Sequence, residues 1–467
     1  MLVEKKMTTK WILALLWIGT LVEVGAGDRP YIHPFFLITC NQSESSMQVD
    51  GEEDFLPELI GDNEILVNGS LRMWWEEEEE QVKPSLQVRN YLYHLQASLG
   101  HSWLSHWTSQ EGSGVTVLSP MYLQVVLAAL SLGADGSTLD NLQMILGLSH
   151  SECGGGSSGD QHSLGMRQQL WLLLRDVLAQ HHGSLSIGTW MIFQDRIWLR
   201  RTFTEHLRLF HPEVWLGATD FSQPPLAEES INNVIHRATG GRLNNLVTGL
   251  NPSTKLVVAS FIHFKGKWKT RSQCHGTELH DFFNDSGNKA QVPMTTWCGW
   301  LQYKTTPEYT LVKLPLSETM YMILIQTDQP ATVEKIAQML AVYQTLKHFQ
   351  TGFVRLVMPQ FVWKSTYDVK EQFSQTPDTL GAEANFSRLS RAQNVVPEQV
   401  LHSVIFEVTE DEEEQITAED LDVGNITTIE IRFNKPFFFR VYDGASNALL
   451  FLGRVKEFPL KSELKNF

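Results

Sequence analysis

Apolar positions follow two regimes along this chain. In the first half they recur at helical spacing. Val88–Ser105 and Met121–Leu132 each carry such a stripe, and Thr138–Leu148 opens on a hydroxyl and continues through Leu142, Ile145 and Leu146. Gln168–Ala179 adds a fourth predicted helix. Further on, short runs rich in β-branched and aromatic residues take over: Lys255–His263, Leu311–Pro315, Met320–Gln326, Phe353–Val362, Ile429–Phe433, Phe437–Tyr442 and Leu449–Val455. Helices early and strands late predict an α+β domain rather than alternating βαβ units. No internal repeat is visible.

The first 85 residues read differently. Lys5, Lys6 and Lys10 precede an apolar stretch, Trp11–Val22, and Gly25-Ala26-Gly27 supplies small residues for cleavage, so residues 1–27 are expected to be a secretory signal. That stretch is too short to span a bilayer comfortably. Met7 offers an alternative start to Met1. Asp28–Leu37 follows as ten largely apolar residues. Residues 38–85 then turn acidic: between Ile38 and Lys83 there are 13 acidic residues against Arg72 and Lys83, a net of 2 − 13 = −11. Such a run buries too little surface to offset its ordering entropy and is expected to be mostly mobile, with Trp74-Trp75 packing onto the body. The globular domain is expected over residues 86–467.

Composition narrows the partners. At 467 residues with 42% hydrophobic content and 14 Trp, the chain can build a large core. A net charge of −16 argues against nucleic acid and anionic membrane surfaces. Export makes disulfides available to Cys40, Cys153, Cys274 and Cys298, in three possible pairings, and none shows metal-ligand spacing. Five N-x-S/T sequons, at Asn41, Asn68, Asn284, Asn385 and Asn425, also fit export.

Ordered motifs then identify a family. Leu118-Ser119-Pro120 with Leu127–Ala134, Ile231-Asn232 through Thr239-Gly240-Gly241-Arg242-Leu243, Phe264-Lys265-Gly266-Lys267-Trp268, Met358-Pro359-Gln360-Phe361, Phe433-Asn434-Lys435-Pro436-Phe437 and Leu450-Phe451-Leu452-Gly453-Arg454-Val455 resemble serpin signature segments across nearly all of 87–467. The resemblance implies a serpin fold, with helices, three β-sheets and an exposed reactive-type loop. A working serpin traps a protease by inserting that loop as an extra strand in its main sheet. This needs a flexible hinge glycine and burial-tolerant residues at alternate positions. Aligned from Glu410, the chain places Glu412 at the hinge glycine and Glu413 after it, and alternation turns Glu413, Gln415, Thr417 and Glu419 inward. Unpaired buried carboxylates cost several kcal/mol each, so the loop is expected to be non-inhibitory. The bait position falls near Gly424-Asn425, inside a sequon.

The decapeptide carries the second resemblance. Asp28–Leu37 matches the angiotensin I pattern at eight of ten positions, with Pro30 in place of Val and Phe36 in place of His. Pro30 and Pro34 hold Arg29 and His33 away from helix. Leu37-Ile38 is an apolar pair in an extended stretch, which suits an aspartic protease, and the resemblance names renin. It also implies trimming at Phe35-Phe36 by a zinc dipeptidyl carboxypeptidase, angiotensin-converting enzyme. The product would be a vasoactive octapeptide presenting Arg29, Tyr31, His33 and Phe35 to a G-protein-coupled angiotensin receptor. Plasma is the implied location, and control of blood pressure and salt balance the implied role. The same resemblance pairs Cys40 with Cys153. For Cys274 and Cys298 the sequence leaves pairing and buried thiols equally open.

Other motifs lead nowhere. Gly155-Gly156-Ser157-Ser158-Gly159 matches G-x-S-x-G but lacks the strand and helix that make it a hydrolase elbow. His181-His182 is expected to be a solvated helix end, and Glu76–Glu80 a solvated acidic linker. No cofactor or metal motif appears, and an enzyme is not expected. The competing functions are a protease-inhibitor serpin and a carrier with an apolar surface pocket.

Overall fold

Ser119 and Pro120 show how locally the fold is written. Ser119 is extended and its Oγ accepts from the Tyr122 amide at 3.3 Å, while Pro120 takes the first helical position, where a missing N–H goes unnoticed. The helix they start, α2, is buried on every side over Pro120–Ser131, as a uniformly apolar helix must be. The computed structural model describes residues 54–60, 86–109, 114–147, 159–181, 183–268, 274, 276–317, 319–327, 349–373, 375–391, 393–409 and 427–458. The signal, the decapeptide, Trp74-Trp75 and the loop after Thr409 lie outside them.

Among the described residues the chain runs α1 (Leu86–Ser109), β1 (Val115–Leu118), α2, α3 (Gly136–Ile145), α4 (Gly159–Gln180), β2 (Leu185–Gln194), α5 (Arg201–Phe210), β3 (Val214–Thr219) and α6 (Pro224–Ala238). Strands then follow: β4 (Leu256–Lys267), β5 (Thr277–Phe283), β6 (Lys289–Thr305), β7 (Tyr309–Pro315), β8 (Met320–Thr327), β9 (Gln350–Pro359), β10 (Phe361–Asp368), β11 (Gln399–Thr409), β12 (Thr428–Arg432), β13 (Phe437–Asp443) and β14 (Leu449–Val455). They form a five-stranded sheet, β10-β11-β4-β2-β3, and a nine-stranded one, β1-β14-β13-β8-β7-β6-β9-β12 with β5 also on β6. The expected three sheets appear as two because β6 runs unbroken for 17 residues, pairing β5 over its first part, β9 from Met294 to Tyr303 and β7 at its far end.

The helical stripes and most strand runs predicted from sequence are present. One strand run is corrected. Phe353–Val362 is two strands, β9 and β10, in different sheets, and Pro359-Gln360 is the crossover between them. Proline ends the ladder because it has no N–H to donate.

Motif residues act as local fasteners. Asn232 on α6 grips the returning chain twice, donating to the Val247 carbonyl at 2.7 Å and accepting the Val247 amide at 2.9 Å. Thr239 closes the same helix through its hydroxyl onto Ile235 O at 2.8 Å. Gly453 on β14 is required by packing, since a Cβ there would sit 2.2 Å from the Phe439 ring. That ring belongs to an aromatic layer joining the sheets: Phe406–Phe439 centroids are 5.5 Å apart, Phe264–Phe406 5.3 Å and Phe361–Phe439 5.8 Å. Aromatic pairs at such separations add to the area they bury.

Candidate functional site at the loop base and the tail attachment

The loop that would have to insert begins where β11 ends, so the seam beside β11 decides what it can do. β11 lies parallel to β4 in continuous register from Gln399↔Val257 to Thr409↔Lys267, eleven pairs without a gap. Every residue of Leu256–Phe264 and of Val400–Phe406 is buried, so both faces of the seam are covered. One face packs on α6: Val257, Ala259, Phe261, Leu401 and Ile405 join Ile231, Val234 and Ile235 in one apolar cluster. The opposite face carries Ser260 and His402, both with no exposure, linked Oγ to Nδ1 at 2.9 Å. The Tyr122 ring lies 6.2 Å from His402, and its hydroxyl meets Thr189 Oγ1 at 2.9 Å. Burial alone lowers the His402 pKa to about 3, so the ring is neutral at physiological pH.

At the outer end of the seam, His263 Nε2 faces Glu407 Oε2 at 3.5 Å. Burial, then the Arg242 charge, lower the His263 pKa against the opposing pull of Glu407. Beyond Thr409 come five consecutive acids, Glu410–Glu414, and then Glu419; all lie outside the described residues, as do Asn425 and the bait position. An inserted strand would have to split the eleven-pair ladder. Along the buried stretch its carboxylates would be desolvated on whichever face they pointed.

The acidic tail is anchored elsewhere. Of segment 38–85, Asp54–Ile60 is described and lies on the outer edge of the five-stranded sheet. Phe55 exchanges two backbone bonds with Leu199, each 2.7 Å. Ile60 N donates to Ala218 O at 2.8 Å, and Ala218 N donates to Glu58 O at 2.8 Å. Asp54 pairs with Arg391 at 3.3 Å, the Arg208 guanidinium lies 5.2 Å from the Phe55 ring centroid, and Ile60 packs against the α6 cluster. These seven residues are held on the body, and the rest of 38–85 lies outside the described residues. Phe55, Pro57 and Ile60 supply apolar anchors within the acidic run, and an open strand edge supplies backbone partners.

Cys274 and Cys298 form a disulfide, with Cα atoms 5.2 Å apart, tying the entry to β5 onto the middle of β6. It closes 24 residues of chain, so a Cys274→Ser, Cys298→Ser variant is expected to lose about 3 kcal/mol of stability. Denaturant titration measures this, and an unchanged midpoint would show the bridge to be energetically idle. Cys40, Cys153, Asn41 and Asn68 lie outside the described residues. Asn284 is 7% exposed; its Nδ2 donates to the Phe458 carbonyl at 3.0 Å and its Oδ1 accepts the Phe458 amide at 2.9 Å. A glycan on that nitrogen would leave one N–H and the acceptor oxygen in place, but would have to leave a side chain that is buried. Asn385 is half-buried and its Oδ1 accepts the Ser387 amide at 3.0 Å.

His181 corrects the expectation of a solvated helix end. It is 4% exposed, and its Nε2 lies 3.2 Å from Asp443 Oδ1. Burial pushes the Asp443 pKa up, but hydrogen bonds from His181, Ser446 and Thr319 outweigh it and bring it to about 2. The pair ties the end of α4 to β13. Among the described residues no group of three metal-ligating side chains is assembled, and no helix is long and apolar enough to cross a membrane. An open depression of about 410 Å³ beside β5 mixes Leu279, Phe283 and Met294 with His280, Asp281 and Arg432, which is not the apolar pocket a hydrophobic carrier requires.

Comparison with known proteins agrees with this architecture. The serpin (serine protease inhibitor) family model matches residues 94–458. Angiotensinogen of Bos taurus is 30% identical, over 97% of this chain and 98% of its own length. Angiotensinogen of Homo sapiens is 28% identical over 95% and 96%. Alpha-1-antiproteinase F of Cavia porcellus is 26% identical over 80% of this chain and 92% of its own. Among solved structures, mouse protein-Z dependent protease inhibitor superposes with a TM-score of 0.67 at 22% identity, covering 80% of this chain and 99% of its own, which shows the shared fold. With its five-stranded sheet, its motif fasteners and relatives that match 95–97% of it, the chain belongs to the serpin family and groups there with the angiotensinogens.

Proposed function

We propose that the chain is a secreted, non-inhibitory serpin and prohormone, cut by renin between Leu37 and Ile38 to release Asp28–Leu37. Trimming at Phe35-Phe36 then yields an octapeptide that engages its receptor through Arg29, Tyr31, His33 and Phe35. The carrying observation is the span of the relatives. The angiotensinogens align over 95–97% of this chain, whereas the antiproteinase aligns over 80%, so the N-terminal extension is shared with the former. The apolar Leu37-Ile38 pair, preceded by Pro30 and Pro34 and by no helix start, supports the cut site. The seam buried on both faces and the acids at Glu412, Glu413 and Glu419 support the absence of insertion. Because Cys274 and Cys298 pair with each other, Cys40 and Cys153 remain for the bridge that tethers the cut segment to the body. Phe36 leaves with the discarded dipeptide and bears on processing, while Pro30 stays in the octapeptide and bears on receptor affinity.

The deciding experiment incubates the purified chain with renin and identifies the released peptide by mass. Asp28–Leu37 is the expected product, and a product ending elsewhere overturns the site. The loop is tested separately. Nicking near Asn425 is expected to leave the thermal midpoint within about 2 °C, which for a domain this large corresponds to about 1.5 kcal/mol, the scale of a local loop change and not of a strand insertion. A rise of tens of degrees, or an SDS-stable complex with a serine protease, would establish the inhibitory reading instead.

A further inference from the structure

Two of the five sequons fall on described residues, and the fold uses their side-chain amides in opposite ways. Asn284 sits in the turn from β5 to β6 and is 7% exposed. Its Nδ2 and Oδ1 take the carbonyl and the amide of one residue, Phe458. A primary amide offers the same donor and acceptor as a peptide group, so this side chain holds the chain beyond β14 as a neighbouring strand would. Asp285 repeats the grip: its amide donates to Lys456 O at 3.2 Å and its carboxylate meets Arg454 at 3.2 Å. The Lys456 and Glu457 amides both donate to Gly114 O, at 2.8 and 3.1 Å. The Phe458 ring stands edge-on to the fully buried Phe282, with centroids 4.8 Å apart.

Asn385 has every polar group engaged except its side-chain nitrogen. Its amide donates to Thr138 Oγ1 at 2.7 Å, and its carbonyl accepts the Asp135 amide at 2.9 Å. Its Oδ1 is held by the Ser387 amide in an Asx turn. The Nδ2 bonds to nothing among the described residues and is not buried. Beside it lies Gly136, an exposed residue without a side chain, where even an added Cβ would stand 3.8 Å from that nitrogen. A sugar on Asn385 therefore breaks no contact and has open space to enter.

We propose that the folded, exported protein carries an N-linked glycan at Asn385 and none at Asn284, whose side chain instead clamps the C-terminal segment. The inference rests on the export proposed above. Transfer joins Asn Nδ2 to C1 of the first sugar, breaks the C1–O bond to a lipid pyrophosphate carrier, and releases one amide proton. At Asn284 the remaining N–H could still reach Phe458, but the sugar on the same nitrogen has no way out of so closed a site. Because transfer precedes folding, the choice is enforced when the chain folds. A chain modified at Asn284 closes the corner around Phe458 poorly and is retained rather than exported.

The test expresses the full chain in a secretory cell line. Glycans are removed from the secreted protein in heavy-oxygen water by the amidase that converts each glycosylated Asn to Asp, and the peptides are mapped. Label is expected at Asn385 and not at Asn284. Ser387→Ala, which destroys the first sequon, should lose one glycan in gel mobility. Ser286→Ala destroys the other and should match wild type in mobility, secretion and stability, since Ser286 is exposed and accepts only a 3.4 Å bond from Asn288. Asn284→Ala removes the same sequon together with the clamp. It should be secreted less, and its Phe458 amide should exchange hydrogen about ten-fold faster, the scale of one net hydrogen bond. Label at Asn284, or an unchanged Phe458 exchange rate in Asn284→Ala, overturns the clamp. Secreted protein labelled at other sequons but not at Asn385 overturns the glycan assignment and leaves export standing. A chain that never reaches the medium and carries no glycan at any sequon overturns export, and this inference with it.

Discussion

A Leu37→Asp variant is expected to release the decapeptide at least ~100-fold more slowly than wild type under renin. An aspartic protease cleft binds its substrate extended and encloses the side chains beside the cut. An unpaired carboxylate in an enclosed apolar subsite costs several kcal/mol, and ~3 kcal/mol already corresponds to a factor of ~100. Stability and circular dichroism are measured alongside and should match wild type. Release is measured by mass spectrometry against an isotopically labelled standard. A rate equal to wild type would place the cut elsewhere, and a reduced rate of a product with shifted ends would show that the enzyme tolerates a neighbouring bond. Ile38→Asp, on the other side of the same bond, is expected to behave alike.

Acid is expected to destabilise the body by about 2 kcal/mol for each of two desolvated histidines, the buried His402 and the half-buried His101, between pH 7 and pH 5. Burial lowers the His402 pKa to about 3. Burial, then the Arg440 charge beside it, lower that of His101 to about 3, against a hydrogen bond to Ala97 O that favours the cation. Both rings are neutral when folded, whereas in the unfolded chain they protonate near the ordinary value of 6.5. Protons therefore favour the unfolded state. This source of stability is intact above about pH 6.5 and is lost progressively as pH falls toward about 3. Asp443, at about 2, stays ionised through the window and adds nothing to the slope there. Denaturant titrations at pH 7 and pH 5 measure the effect. A His402→Gln variant, less stable at pH 7 because it disturbs the Ser260 contact, should lose only about half as much on acidification. Equal losses in the two proteins would rule out His402 as a contributor.

Several features of the body were legible in the chain because their causes are local. A hydroxyl before a proline starts α2, β14 spans the predicted Leu449–Val455, and the Thr239-Gly240-Gly241 turn closes α6 with its glycines at positive φ. The decapeptide and the run of acids after Thr409 are likewise visible in one dimension, since residue type and order alone make them chemically distinct.

Other features have non-local causes. β11 went unpredicted because His402-Ser403 interrupts its apolar pattern. Those residues become acceptable in a core only when β4 and β10 bring Ser260 and Thr366 to them, the latter meeting Ser403 at 3.1 Å. β2, α5, β3 and α6 also escaped, their short apolar stretches being ambiguous until neighbouring strands and helices cover them. His181 looks solvated until Asp443, 262 residues away, closes over it. Spacing left Cys274 and Cys298 undecided, and the fold of β5 onto β6 brings them to 5.2 Å. The acidic tail reads as polymer until Phe55 and Ile60 find an unfilled strand edge. Capping and turn chemistry act between near neighbours and are readable in sequence. Burial of a polar group, pairing of a distant cysteine and occupation of a sheet edge depend on partners that only the completed sheets bring within a few ångströms.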